Sequence, residues 1–438
     1  MPLAYADFLN SKKREQSGIG PIDAPIAPEL YEWQAAITRW AVRKGRAALF
    51  EDCGLGKTFQ QIAWLKALNV PAIILAPLCV AEQTVAEGAK LGVPITYAHD
   101  ESDIRTPITI TNYERLDRFD VDRFEAVVLD ESSILKNFEG KIRTAVIDRF
   151  ARTRYRLCCT ATPSPNDIAE LANHAEFLGL MTRAEFLATW FVKVDEGHRT
   201  TDHHGWRMKG HAVTPFYRWM ASWAIALRQP SDIGFDDDRF LLPPLTFHEV
   251  VTDGYTQTDA LFPELGLYGL SGRLRARRGS LDARVAAAVR LTERGGQWML
   301  WCGLNPESEA LAAAIPDAVE VTGSDAYADK VGAVQKFLSG ETRVLVSKAR
   351  ILGYGLNLQC CHQMAFVGIG DSFEQYYQAV RRCWRYGQQH PVEAYIIVSD
   401  AERGIVANVQ RKEARHNDLS QTLLEHMRDF ERREVIAC

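Results

Sequence analysis

From Ala47 onward, short apolar or β-branched runs alternate with helix-length polar segments: AALF, AIILAP, ITITNY, AVVLDE and YRLCCTATP. Continuous apolar strands bounded in this way predict a parallel sheet covered by crossover helices. A helical stretch, ELYEWQAAITRWAVRKG, precedes the first strand and follows a proline-rich link from Pro21 to Pro28, and residues 1–20 predict a tail. Between 190 and 245 the pattern lapses into a stretch dense in Trp, His and Arg, which predicts an aromatic-rich helical insertion or bridge. The strand and helix pattern then resumes with LDARVAAAVRLTERG as helix and QWMLWCGL, VEVTG, RVLVSKA, QMAFVG and AYIIVSD as strands. Residues 401–438 are charged and helical. The fold expected is α/β, with two parallel-sheet domains at 21–189 and 246–400 flanking the bridge.

A length of 438 residues exceeds what one core ordinarily serves, in agreement with two domains. With 47% hydrophobic and 24% charged residues the chain reads as soluble and globular, and the net charge of −5 counts against coating nucleic acid by global positive charge. A local basic channel stays open. Met1 is followed by a polar stretch without an apolar signal region, and no later run is long enough to span a bilayer, so a cytoplasmic protein with no membrane partner is expected. The nine cysteines include the adjacent pairs Cys158/Cys159 and Cys360/Cys361 but no CxxC repeat, which favours buried free thiols over zinc or disulfides.

Candidate chemistry starts at LFEDCGLGKTFQ. Gly54, Leu55, Gly56, Lys57 and Thr58 stand between a strand and a helix, where backbone N–H groups and a lysine can cradle a triphosphate. Glu51 occupies the place where GxxxxGK[ST] requires glycine, so the match is incomplete. VVLDES ends a strand in Asp130 and Glu131, a carboxylate for a magnesium shell and another for water; the alternative for the pair alone is a solvated turn after a strand. Thr160 and Thr162 in TATP end the next strand, where their hydroxyls can join that network. In QYYQAVRRCWRYGQ, Arg382 and Arg385 are three apart and so expected on one helix face, either as a solvated face or as a pair reaching the γ-phosphate.

In this order the segments resemble the motor core of superfamily 2 DEAD/DEAH-box helicases and translocases, in the Swi/Snf-like branch. EDCGLGKT is similar to that branch's DEMGLGKT, DESSILKN to DEAHRIKN, ITNYERL to its TTYE segment, and QAVRRCWRYGQ to QAxxRxxRxGQ; TATP and GYGLNL stand for the third and fifth motifs. The resemblance runs from Leu30 to Gln388 and implies two RecA-like domains that hydrolyse ATP with Mg2+. Residue by residue it implies adenine reading by Gln34, phosphate binding by Lys57 and the Gly54–Leu55–Gly56 loop, magnesium on Thr58 and Asp130, and water activation by Glu131. Gly355 would lie near the nucleotide, Arg382 and Arg385 would stabilise transferred charge, and Thr160 and Thr162 would couple nucleotide state to movement. Ser133 departs from the histidine of DEAH, and Lys348 to Leu352 do not reproduce the residues before the fifth motif. TATPSPND and the WRMKGHA to IGFDD stretch also resemble bacteriophage and prophage members of the branch, which implies a motor working beside phage replication or recombination proteins.

The expected track is DNA, duplex or branched in preference to single-stranded. Thr111, Asn112 and Tyr113 are candidates for gripping phosphates, as are Arg273, Arg275, Arg277 and Arg278 in RLRARRG, which otherwise form a solvated helix face. The tryptophans of the bridge fit packing better than base stacking, because FYRWMASWAIAL has helical apolar spacing; its histidines lack cysteine or acid partners at metal spacing. Two rival classes remain: a P-loop ATPase or kinase acting on a small substrate, and an ATP-gated DNA-binding scaffold.

Overall fold

The computed structural model describes residues 18–77, 80–136, 140–164, 167–193, 206–237, 239–252, 279–353, 356–370, 372–399 and 402–436. The chain forms two compact units, the first from residues 1–238 with 416–438 and the second from residues 239–415.

Unit 1 is built on a seven-stranded sheet. Its strands are β1 (Arg46–Glu51), β2 (Ala72–Ala76), β3 (Ile95–Tyr97), β4 (Ile108–Asn112), β5 (Ala126–Asp130), β6 (Tyr155–Cys159) and β9 (Ala224–Leu227), in the order β3-β4-β2-β5-β6-β1-β9. Every pairing is parallel. Strands such as AIILA and AVVLD are buried on both faces by crossover helices, which is why they carry apolar residues without alternation. The helices Glu32–Lys44 and Lys57–Leu68 flank β1 in sequence.

The segment expected to bridge two domains contributes to unit 1 instead. It supplies the short antiparallel pair β7 (Phe191–Lys193) and β8 (Trp206–Met208), the helix Val213–Ala221, and β9 beside β1. Trp219 and Trp223 are buried in the unit 1 core, with the Trp223 ring edge-on to Phe50 at 6.2 Å. Hydrophobic burial, not base stacking, accounts for the tryptophans. His198, His203 and His204 lie outside the described residues.

The long helix Arg403–Ile436 ends in unit 1. Leu423 and Met427 enter the core there, and Glu431 Oε1 accepts a 2.7 Å hydrogen bond from the Ala226 N–H of β9. A strand edge that would otherwise present an unpaired donor is capped by a side chain.

Unit 2 has a six-stranded parallel sheet of order β10-β15-β14-β11-β13-β12. Its strands are β10 (Leu245–Thr252), β11 (Trp298–Cys302), β12 (Ala318–Val321), β13 (Val344–Lys348), β14 (Gln363–Phe366) and β15 (Val392–Ser399). Arg284, fully buried, bonds Glu307 at 2.9 Å and the Ser280 hydroxyl at 3.1 Å, so its charge is compensated inside the core. The seven described cysteines are all unbridged. Among the described residues no helix is long and apolar enough to cross a membrane.

Candidate nucleotide site

The C-terminal ends of β1, β5 and β6 bring the candidate residues of unit 1 together. After β1 the chain turns through Gly54 at φ 90° and Gly56 at φ 82°, left-handed values that glycine adopts without a Cβ clash. Gly56 caps the helix Lys57–Leu68, whose first N–H groups and positive dipole end face the loop. A Cβ on Gly56 would fall 2.5 Å from Gln34 Nε2. Gln34 is buried; Nε2 donates to the Leu55 carbonyl at 2.8 Å and Oε1 accepts from the Tyr31 N–H at 3.1 Å. The residue expected to read adenine thus also braces the loop.

Lys57 Nζ donates to the carbonyls of Glu51 and Asp52 at 2.7 and 2.9 Å, so the ammonium is folded back over its own loop. Glu51, the departure from the glycine pattern, is the last residue of β1 and fully buried; Oε2 accepts from Gln60 Nε2 at 2.7 Å. Burial pushes its carboxyl up to about 7, against the opposing pull of Lys57 and Gln60.

Asp130 closes β5. Its Oδ1 accepts from Gln61 Nε2 at 2.8 Å, its carbonyl accepts from the Tyr113 hydroxyl at 2.8 Å, and burial raises its carboxyl to about 6. Glu131 follows with φ of 59°, a conformation rare for a residue with a side chain. That turn presents its carboxylate to Thr160 Oγ1 at 2.6 Å and Ser133 Oγ at 3.0 Å. Thr160 Oγ1 in turn accepts from the Thr162 N–H at 3.0 Å. The serine that stands for the DEAH histidine is therefore bonded to Glu131, the acid expected to activate water. Beside it, Ser132 Oγ lies 3.2 Å from His174 Nε2, and burial drives His174 down to about 3, so it is neutral.

Asp130 and Thr58 offer hard oxygen donors, the chemistry that suits Mg2+, a cation normally held by one or two protein groups together with substrate phosphates. Among the described residues no cluster of three His, Cys, Asp or Glu could cage a metal.

Three expectations need correction. Thr111, Asn112 and Tyr113 are buried and their polar groups turn inward. Thr111 Oγ1 donates to Ala98 O, Asn112 exchanges bonds with Tyr97 and Ala76, and Tyr113 holds Asp130. They shape the site from inside unit 1, with these polar groups already engaged. Arg382 and Arg385 do not share a helix face: the helix Phe373–Cys383 ends before Arg385, because Trp384 takes ψ 85° and Gly387 turns at φ 94°. Both guanidinium groups still converge on Leu356 O, at 3.1 and 3.2 Å. Arg382 also bonds Gln378 O at 3.0 Å and Gln378 Oε1 at 2.8 Å. The bridge belongs to unit 1, as described above. Gly355 and the arginines 273, 275, 277 and 278 lie outside the described residues.

Gln60, Gln61 and His174 escaped the sequence reading. Both glutamines follow GKT after a single residue, Phe59, and that proximity was the available signal; His174 had none.

A family model described as SNF2-related domain matches residues 95–203, and one described as helicase conserved C-terminal domain matches residues 286–387. Both descriptions belong to superfamily 2, Swi/Snf-like helicases, and neither match spans half of the chain. Within this chain, Asp130, Glu131, Thr160 and Thr162 fall in the first match and Arg382 and Arg385 in the second, while Lys57 precedes both. Its two parallel α/β units are accordingly RecA-like domains in tandem.

Curated relatives include the TATA-binding protein-associated factor mot1 of Schizosaccharomyces pombe, 27% identical over 208 residues, covering 39% of this chain and 10% of the relative. The SWI/SNF-related matrix-associated actin-dependent regulator of chromatin subfamily A-like protein 1 of Xenopus tropicalis is 26% identical over 167 residues, 35% of this chain and 18% of its own length. The ISWI chromatin-remodeling complex ATPase CHR11 of Arabidopsis thaliana is 26% identical over 196 residues, 38% and 18% respectively. The chain thus aligns with less than a fifth of each of these relatives. Among solved structures, the Sulfolobus solfataricus SWI2/SNF2 ATPase core in complex with dsDNA is 17% identical, covering 89% of this chain and 95% of that one, with a TM-score of 0.42.

Proposed function

We propose that this chain is a nucleic-acid-dependent ATPase that uses ATP hydrolysis to move along or remodel DNA, with duplex or branched DNA favoured over single strands. The observation that carries the reading is the hydrogen bond from Gln61 to Asp130, which ties the N-terminal half of the Lys57 helix to the acidic strand end 69 residues away. A phosphate-binding loop and a carboxylate pair are thereby assembled at one sheet edge, where α/β folds bind ligands.

On this reading, Lys57 exchanges the carbonyls of Glu51 and Asp52 for phosphate oxygens. Asp130 and Thr58 would hold Mg2+, which when bound offsets charge on the phosphates. Glu131, oriented by Thr160 and Ser133, takes the proton of the attacking water or aligns it. Assignment of Arg382 and Arg385 to transition-state charge rests on the resemblance of QAVRRCWRYGQ. DNA as the track is carried over from the Swi/Snf-like family, and a phage replication or recombination setting from the TATPSPND resemblance alone. A cytoplasmic location rests on the sequence.

The test is the steady-state ATPase rate of the purified chain alone, with single-stranded, duplex and branched DNA, and with RNA, using Lys57→Ala as the blank. Stimulation by duplex or branched DNA is expected. Turnover indifferent to every nucleic acid would point to a small-substrate ATPase, and DNA binding without turnover to a scaffold.

A further inference from the structure

Two consecutive glutamines in the first turns of the Lys57 helix each donate a carboxamide N–H to a buried acid: Gln60 to Glu51 at 2.7 Å and Gln61 to Asp130 at 2.8 Å. Both glutamines are fully buried, and the Oε1 of each has no hydrogen-bond partner. Each amide presents its nitrogen to the acid, and its oxygen is left facing the core. A methionine would fill the same space without burying an unsatisfied carbonyl. Packing therefore does not account for Gln61, whereas its bond to Asp130 does.

We propose that Gln61 is a positioning residue that fixes the Asp130 carboxylate for divalent cation, and so sets the Mg2+ requirement of the nucleotide site. The inference rests on the nucleotide-site reading above. Gln61 occupies Oδ1, and the Tyr113 hydroxyl anchors the Asp130 carbonyl. With backbone and one carboxylate oxygen both held, the direction of Oδ2 is defined before any ligand arrives. A partner that orients a metal ligand from behind commonly contributes roughly 10- to 100-fold in metal affinity.

The experiment is equilibrium binding of a fluorescent N-methylanthraniloyl ATP to the full chain, first in EDTA and then across a Mg2+ titration, without any measurement of turnover. Gln61→Met removes the donor at constant length, and Gln61→Asn keeps the amide but withdraws it by one methylene. Both variants are expected to bind the nucleotide in EDTA as the parent chain does, while half-saturating Mg2+ rises roughly 10-fold or more. Mg2+ curves that superimpose on the parent's overturn the proposal, and so does an equal loss of affinity with and without Mg2+, the mark of general damage to the pocket. Lys57→Ala separates this from the underlying reading. If the parent chain and Lys57→Ala bind the nucleotide alike, the nucleotide site itself is wrong; if only the Gln61 variants behave like the parent, the positioning role alone falls.

Discussion

Thr160 Oγ1 donates to Glu131 Oε1 at 2.6 Å, and Glu131 meets it from a left-handed backbone with φ of 59°. Strain at the turn and the bond that exploits it belong together: without the turn the carboxylate would not face β6. Thr160→Val keeps the shape and deletes the donor. A hydrogen bond to a charged group is worth about 1.5–3 kcal/mol, so turnover is expected to fall roughly 10- to 100-fold. ATP affinity should be unchanged, which single-turnover rates and equilibrium binding would resolve.

The two arginines of unit 2 should separate under mutation. Arg382 is buried, with three bonds to Gln378 and Leu356, whereas Arg385 stands past the helix end and is half-buried. Arg382→Ala is expected to lower the melting temperature, through a loss of about 1–3 kcal/mol. Arg385→Ala is expected to leave melting unchanged, retain ATP binding and slow hydrolysis by about 10³-fold, as removal of a transition-state arginine does. Lost ATP binding in Arg385→Ala would remove it from that role.

Gly56→Ala tests the loop. Its left-handed φ costs an alanine about 1–2 kcal/mol, and its Cβ would push Gln34 off the Leu55 carbonyl. Both stability and ATP affinity should drop. Gly92 has a similar φ of 64° but open space around a Cβ, so Gly92→Ala should show the backbone cost alone. Thermal melting of the two variants, with and without ATP, checks the difference.

Glu431 makes unit 1 sensitive to pH. Burial, with Asp232 adding repulsion, raises its carboxyl to about 8, while its bond from the Ala226 N–H pulls the other way. The folded state therefore holds a proton that the unfolded chain, with an ordinary glutamate near 4.3, releases. Stability from this group is complete below about 4.3 and falls as pH rises to about 8, by at most about 1.4 kcal/mol per pH unit. Glu431→Gln should match the parent chain at pH 4.5 and exceed it at pH 8. Urea midpoints followed by tryptophan fluorescence at both pH values would show this; equal midpoints at pH 8 would mean that Glu431 is not held protonated.

Strands such as AIILA and AVVLD were legible because a parallel strand buried on both faces must be apolar throughout. β9 was not legible. AIAL follows a run with helical spacing, and a short apolar stretch reads equally as strand or helix until a partner is known; its partner, β1, is some 175 residues earlier in the chain. Thr111, Asn112 and Tyr113 looked available because hydroxyls and amides at a strand end usually are. Only the neighbouring Tyr97, Ala98, Ala76 and Asp130 show those groups already engaged.

The two α/β units, the glycine turn before the Lys57 helix and the acidic pair were readable along the chain, since each depends on local spacing: a glycine turn before a helix, a carboxylate after a strand. Tertiary structure alone decided that Gln61 serves Asp130, that Ser133 and Thr160 aim Glu131, that the aromatic segment completes the first sheet, and that Glu431 caps its edge. Those relationships join residues distant in the chain through the ends of strands and the burial of polar groups, and a buried polar group reveals its role only once its partner is in place.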